Sequence, residues 1–289
     1  MSPRHTAILS LILVMTIWGS AFAVTKATLS TVPPILFALL RFAVASVVLL
    51  PIAQLRGGAA KLKTPRALPI IVLMALSGVT LYYVGYNISL RYISASQAVL
   101  IQSAIPAVTA FFAFLFINER LNPKRVAGIA ISLMGVALVM VAAAPPAGVS
   151  NALLGNGLMA FTTILWAAYT IFAKRLAEHD QIIVTAYSTA AGTVLLMPIA
   201  LWEFLTRPVP DISAQDWLSV VYLGAISSAG GYWLYNRSLQ QLQASQTSAF
   251  INLMPVVGVA TAVIFLGESL VLWQLLGGAL VLLGTWLST

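Results

Sequence analysis

The sequence predicts an all-α polytopic membrane protein: ten transmembrane helices forming two inverted five-helix repeats around a central cavity, with both termini cytoplasmic. Three observations predict it. Of the 289 residues, 60% are hydrophobic and 8% charged, with a mean hydropathy of +0.97, whereas soluble domains carry about 25% charged residues. Ten apolar runs, each near the roughly 20 residues a bilayer helix needs, nearly exhaust the length. The third observation is an internal duplication. Tyr86-Asn87-Ile88-Ser89-Leu90, Ala95-Ser96-Gln97, Pro106, Glu119, Gly128 and Gly135 recur 149 positions later. Their counterparts are Tyr235-Asn236-Arg237-Ser238-Leu239, Ala244-Ser245-Gln246, Pro255, Glu268, Gly277 and Gly284.

The ten runs span approximately 8–28, 34–54, 68–88, 95–117, 126–144, 153–173, 181–202, 217–238, 244–265 and 270–288. Proline and charge punctuate the joins: Pro33-Pro34, the basic stretch from Arg56 to Arg66 with Lys61 and Lys63, Asn122-Pro123, Pro145-Pro146, and Arg207 to Asp211. With the N-terminus inside, 11 Lys and Arg fall on the cytoplasmic side and 3 on the other, which sets the orientation. The net charge of +8 therefore serves topology, and no nucleic-acid partner is expected. The first run lacks a cleavage site and leads into further spans, so it is read as a retained helix.

Trp18 and Lys26 match Trp166 and Lys174 at an offset of 148, and Pro51 matches Pro198 at 147. The repeats are thus 1–147 and 148–289, five spans each. An odd number of spans returns the chain on the other side, so the copies are inverted. Inverted repeats recur in secondary transporters, which bind substrate near the bilayer midplane where the repeats meet.

Candidate site residues emerge from depth and polarity. Trp18 and Trp166 lie mid-span, where they line a cavity or fill the core; interface anchors belong at span ends. Tyr83 and Tyr86 share a helix face, as do Tyr232 and Tyr235; they are gates or belt residues. Asn87 and Asn236 adjoin them and join the candidate binding set. Pro106 and Pro255 kink the fourth and ninth spans, either as bending points, or exposing the Gln102 and Ile251 carbonyls to substrate, or as static kinks. Gln102 and Asn252, beside those kinks, are expected to face the cavity. Arg41 is the strongest intramembrane charge, and it either meets a substrate carboxylate, snorkels to the interface or makes a structural pairing. Glu119 and Glu268 are expected to support the N-terminus of the next helix along the chain. Gly128 with Gly135, and Gly277 with Gly284, are expected to pack the fifth span on the tenth. A monomer is expected, with a dimer through those glycine faces as the alternative.

The chain has no cysteine, and its two histidines, His5 and His179, lie in polar flanks. It has no zinc motif and no phosphate loop, so neither an enzyme nor a cofactor or metal is expected.

Trp18-Gly19-Ser20-Ala21-Phe22, Leu40-Arg41-Phe42, Ala95-Ser96-Gln97-Ala98 leading to Pro106, Glu119-Arg120-Leu121, and Gly128 with Gly135 resemble the drug/metabolite transporter superfamily. Within it they look like EamA-type, ten-helix, two-repeat exporters, similar to the YddG-type branch that exports amino acids, including aromatic ones. The resemblance covers nearly the whole chain. It implies a basket of helices around a cavity, a bacterial inner-membrane location, alternating access, and amino acids as small-molecule substrates. Small four-helix relatives exchange protons on a glutamate in their first helix; this chain has Met15, Thr16, Trp18 and Gly19 there. The rival function is a multidrug or other metabolite exporter, such as a nucleotide-sugar-like carrier.

Overall fold

Helix starts coincide with capping groups. Ser2 accepts a hydrogen bond from the His5 amide and opens α1, Pro3–Thr28. Pro34 opens α2, Pro34–Leu55, its missing N–H being one that a first turn leaves unpaired anyway. Ser94, Asp180 and Ser213 do the same work further along, Ser213 in a reciprocal capping box with Asp216. The computed structural model describes residues 2–62, 67–120, 122–142, 151–207 and 211–288. Lys63, Arg66, Leu121, the Pro145-Pro146 join and the 147/148 boundary lie outside them.

The remaining helices are α3, Ala67–Tyr92; α4, Ala95–Ile117; α5, Pro123–Ala142; α6, Ala152–Arg175; α7, Gln181–Thr206; α8, 214–238; α9, Ala244–Leu266; and α10, Leu272–Ser288. No strand occurs among the described residues. Eight of these helices, α1 to α7 and α9, are long and apolar enough to cross a membrane. Their outward side chains are apolar, among them Val47, Phe114, Val194 and Ile264. Lipid is as apolar as those side chains and gives no reason to bury them. This is a multi-pass membrane protein.

Helices in lipid associate by close packing, and α5 meets α10 through glycine. A Cβ added at Gly128 would lie 2.5 Å from the Gly284 carbonyl oxygen, and one at Gly135 2.6 Å from that of Gly277. The expected glycine faces are therefore occupied within the chain. Between α2 and α7, Ser46 and Thr193 share a hydrogen bond of 3.0 Å. Those two positions are 147 apart, the offset that relates Pro51 to Pro198.

Two irregularities were not foreseen, and both occur at matching places. The helix widens to π geometry over Leu76–Thr80 in α3 and over Tyr222–Gly230 in α8. Just before their prolines, α4 breaks after Gln102 and α9 tightens to a 3₁₀ turn over Phe250–Leu253. Pro106 and Pro255 each sit at the start of the next helical piece. They restart a broken helix instead of bending a continuous one. Both pieces end in a left-handed residue, Asn118 and Gly267.

A closed aromatic cavity holding one guanidinium

The mid-helix positions of Trp18 on α1 and Trp166 on α6 bring the two indoles edge to face, 5.0 Å between centroids. Tyr82, Tyr83 and Tyr86 from α3 and Tyr232 from α8 close around them. Tyr82 stacks on Tyr86 at 5.7 Å, and Tyr232 lies 5.3 Å from Trp166. Phe22, Gln102, Ile105, Ile251 and Met254 complete the wall with Ala21, Arg41 and Ser227. The space between these side chains measures about 30 Å³, on a measure where one water needs roughly 10–15 Å³. A substrate the size of an amino acid needs these rings to part.

The π stretches reach the cavity through their carbonyls. Widening the helix releases carbonyl groups from the usual ladder, and π turns gather at functional sites. The Trp18 indole Nε1 donates to the Ser227 carbonyl at 2.9 Å, and the Tyr232 hydroxyl donates to the Gly78 carbonyl at 2.6 Å. Gly78 and Ser227 are 149 apart, as are Tyr83 and Tyr232. Trp166 Nε1 reaches no carbonyl among the described residues and lies beside the Tyr235 hydroxyl instead. A Cβ at Gly78 would sit 2.2 Å from the Tyr169 ring, so only glycine allows this approach.

Arg41 does not snorkel. It is 2% exposed and lines the cavity. Its Nε donates to Ser228 Oγ at 2.7 Å and its Nη2 to Ser227 Oγ at 3.0 Å. The guanidinium carbon lies 4.6 Å from the centre of the Tyr83 ring, a cation–π distance.

Other candidates divide. Gln102 lines the cavity, its amide held by the Tyr82 hydroxyl at 2.8 Å and Thr162 at 3.1 Å. Asn87 and Asn236 do not. Asn87 donates to the Pro34 carbonyl at 2.8 Å, and Asn236 to Tyr169 and Thr185 at 2.8 and 3.0 Å. Both amide nitrogens tie helices together, and Asn87 Oδ1 has no partner among the described residues. Asn252 sits in the 3₁₀ turn, half-buried and outside the cavity wall. Its neighbours Ile251 and Met254 face the cavity in its place. The sequence reading missed Phe22, although it falls one turn after Trp18. It also missed Ser227 and Ser228, which the 149-residue offset could have flagged opposite Gly78.

The two repeated glutamates have different partners from those expected. Glu119 accepts from the Ala244 amide and Ser245 hydroxyl at 3.1 and 2.6 Å, while Glu268 accepts from the Ala95 and Ser96 amides at 2.7 and 2.9 Å. Each caps α9 or α4, in the opposite half of the sequence, and not the next helix along the chain. Lys26 likewise reaches the carbonyls of Leu90 and Ile93, and Lys174 those of Leu239 and Leu242. Lysines near helix C-termini are favoured by the dipole.

A family model described as the EamA-like transporter family matches twice, over residues 5–141 and 153–289. An uncharacterized transporter of Archaeoglobus fulgidus is 31% identical over 280 residues, covering 96% of each chain. A Streptantibioticus cattleyicolor protein named a probable terminal-alkyne amino-acid exporter is 30% identical, covering 97% of this chain and 92% of its own. A Salmonella typhimurium protein named a probable amino-acid metabolite efflux pump is 29% identical, covering 96% and 92%. A crystal structure of 22% identity aligns over 100% of this chain and 96% of its own with a TM-score of 0.71, a likeness of fold. Two matches that together span nearly all the described helices place this chain in the EamA-like transporter family, within the drug/metabolite transporter superfamily.

Proposed function

We propose that this protein is a secondary transporter that exports amino acids and related metabolites from a bacterial cell across its inner membrane. One observation carries the reading: a narrow cage of aromatic rings holds a single guanidinium where Trp18 and Trp166, equivalent residues of the two repeats, touch. An apolar or aromatic side chain packs against the rings, and a carboxylate meets Arg41. The names of the Streptantibioticus and Salmonella relatives favour the same substrate class.

In this reading all ten helices cross the bilayer, both termini are cytoplasmic, and 1–147 and 148–289 are inverted five-helix halves. Support comes from residues that meet their own repeat counterparts, such as Trp18 with Trp166 and Ser46 with Thr193. The glycine pairs and glutamate caps cross over instead, each contact recurring with both partners replaced by their repeat counterparts. A two-fold axis in the membrane plane produces such pairings. Inverted halves alternate access by trading conformations. The donors on the π-stretch carbonyls are placed for that trade. Trp18 and Tyr232 hold Ser227 and Gly78 now; in the exchanged state Trp166 holds Gly78 and Tyr83 holds Ser227. Among the described residues, no second acidic or basic side chain lines the cavity, which disfavours lipophilic cations and nucleotide sugars.

Counterflow in proteoliposomes tests the assignment. Vesicles loaded with unlabelled phenylalanine are expected to accumulate labelled phenylalanine. Accumulation only of lipophilic cations would turn the reading to a multidrug exporter.

A further inference from the structure

Arg41 is a buried charge whose counterion the protein does not supply. All seven acidic residues are among those described, and each is elsewhere. Glu119 and Glu268 cap helices. Glu203 accepts from the Ile35 and Leu36 amides at 2.7 and 2.9 Å, and Asp216 from Thr31 at 2.9 Å. Asp180 pairs with Arg56 at 3.3 Å, and Glu178 and Asp211 are exposed. Around the guanidinium are two serine hydroxyls and two rings. Of its five N–H groups, the two on Nη1 have no hydrogen-bond partner among the described residues. An intramembrane charge placed this way calls for a partner, and a planar fork fits a carboxylate.

The cavity wall offers no carboxylate to match an ammonium. The carboxamide of Gln102 is already engaged by Tyr82 and Thr162. What remains for a cation is neutral: the Tyr83 and Tyr86 hydroxyls, the Gln102 and Ile251 carbonyls freed by Pro106 and Pro255, and the ring faces, all in the field of a fixed positive charge. A zwitterion entering this space gains one ionic partner and leaves its second charge without one, facing Arg41. Burial without a partner is costly for any ion.

We infer that the site selects a single carboxylate on an apolar or aromatic body, so that arylalkanoates and N-acylated amino acids are substrates in their own right. The α-ammonium of a free amino acid is then carried but not recognised. This rests on the reading of the cavity as the transport site and narrows its substrate class to organic monoanions.

The test is calorimetric binding to the purified full-length protein, together with counterflow against protein-free vesicles. The probes are phenylalanine, N-acetylphenylalanine, 3-phenylpropionate and phenethylamine. N-acetylphenylalanine and 3-phenylpropionate are expected to bind at least as tightly as phenylalanine, to compete with its flux and to be carried. Phenethylamine is expected to do none of these. Arg41→Gln is expected to weaken the two anions by about tenfold or more, the scale of one lost charge-assisted pair. The wild-type panel decides the matter even if that variant fails to fold. Phenylalanine bound and carried while 3-phenylpropionate is ignored overturns the inference and leaves amino-acid export standing. Anions carried without phenylalanine upholds the inference and removes amino-acid export. Neither class bound overturns both.

Discussion

The indole of Trp18 donates to the carbonyl of Ser227 at 2.9 Å, a bond from α1 into the π stretch of α8. It has no present counterpart on Trp166, although the two tryptophans occupy equivalent positions. An unpaired buried carbonyl costs about 1–3 kcal/mol. Trp18→Phe therefore destabilises this arrangement relative to its exchanged form, and Trp166→Phe does the reverse. The chain has no cysteine, so a single introduced cysteine at each mouth reports accessibility by thiol labelling. The two variants are expected to shift labelling in opposite directions. Equal shifts would refute the exchange of donors.

The tyrosines make a parallel case. Tyr232→Phe removes the donor to Gly78, and Tyr83→Phe removes the one proposed to replace it on Ser227. Single-site kinetics in proteoliposomes should show reduced flux in both, with the cavity-facing labelling biased oppositely. If Tyr83→Phe transports at the wild-type rate, its hydroxyl has no part in the cycle.

Cage integrity predicts a separate loss. Trp18→Ala and Trp166→Ala leave the backbone partners of α1 and α6 in place but open the ring cluster. Flux of aromatic substrates is expected to fall, with the protein still monodisperse by size-exclusion chromatography. Wild-type rates in both variants would take them out of the transport path.

Helix contact predicts stability. At Gly284 a Cβ would meet the Ser132 backbone nitrogen at 2.3 Å, whereas at Gly157 it meets nothing within 4 Å. Backbone cannot retreat as a flexible side chain can, and overpacking costs about 1–3 kcal/mol. Gly284→Ala should lower the detergent-solubilised Tm, and Gly157→Ala should leave it unchanged or slightly higher. Matching Tm values would mean α5 and α10 do not pack this closely.

The crossed caps predict additivity. Glu119→Gln and Glu268→Gln each weaken a helix N-terminus by about 0.5–2 kcal/mol. The two carboxylates share no partner, so the losses should sum in the double variant. A double variant no worse than either single one would mean the two caps are not independent.

Much of this protein was legible along the chain. Hydropathy located the helices, and the fixed offset paired Trp18 with Trp166 and Glu119 with Glu268. Both signals are one-dimensional and survive without knowing how helices turn. The chain concealed azimuth. Each π stretch adds a residue to its turn, rotating the rest of the helix by about 100° relative to an unbroken α-helix. It turns Tyr232, just beyond the stretch, toward the cavity; Asn236, one turn further along, bonds to Tyr169 and Thr185.

By itself, then, the sequence determined a duplicated, helical membrane chain with aromatic residues and one arginine at mid-depth, because burial in lipid and repetition are written residue by residue. Only the tertiary structure decided that the glutamates cap the opposite half, that Pro106 and Pro255 restart broken helices, and that Arg41 faces a cavity without a carboxylate. Those outcomes depend on which helix ends and faces meet across the fold, and long-range pairings of this kind leave no local trace in the amino-acid order.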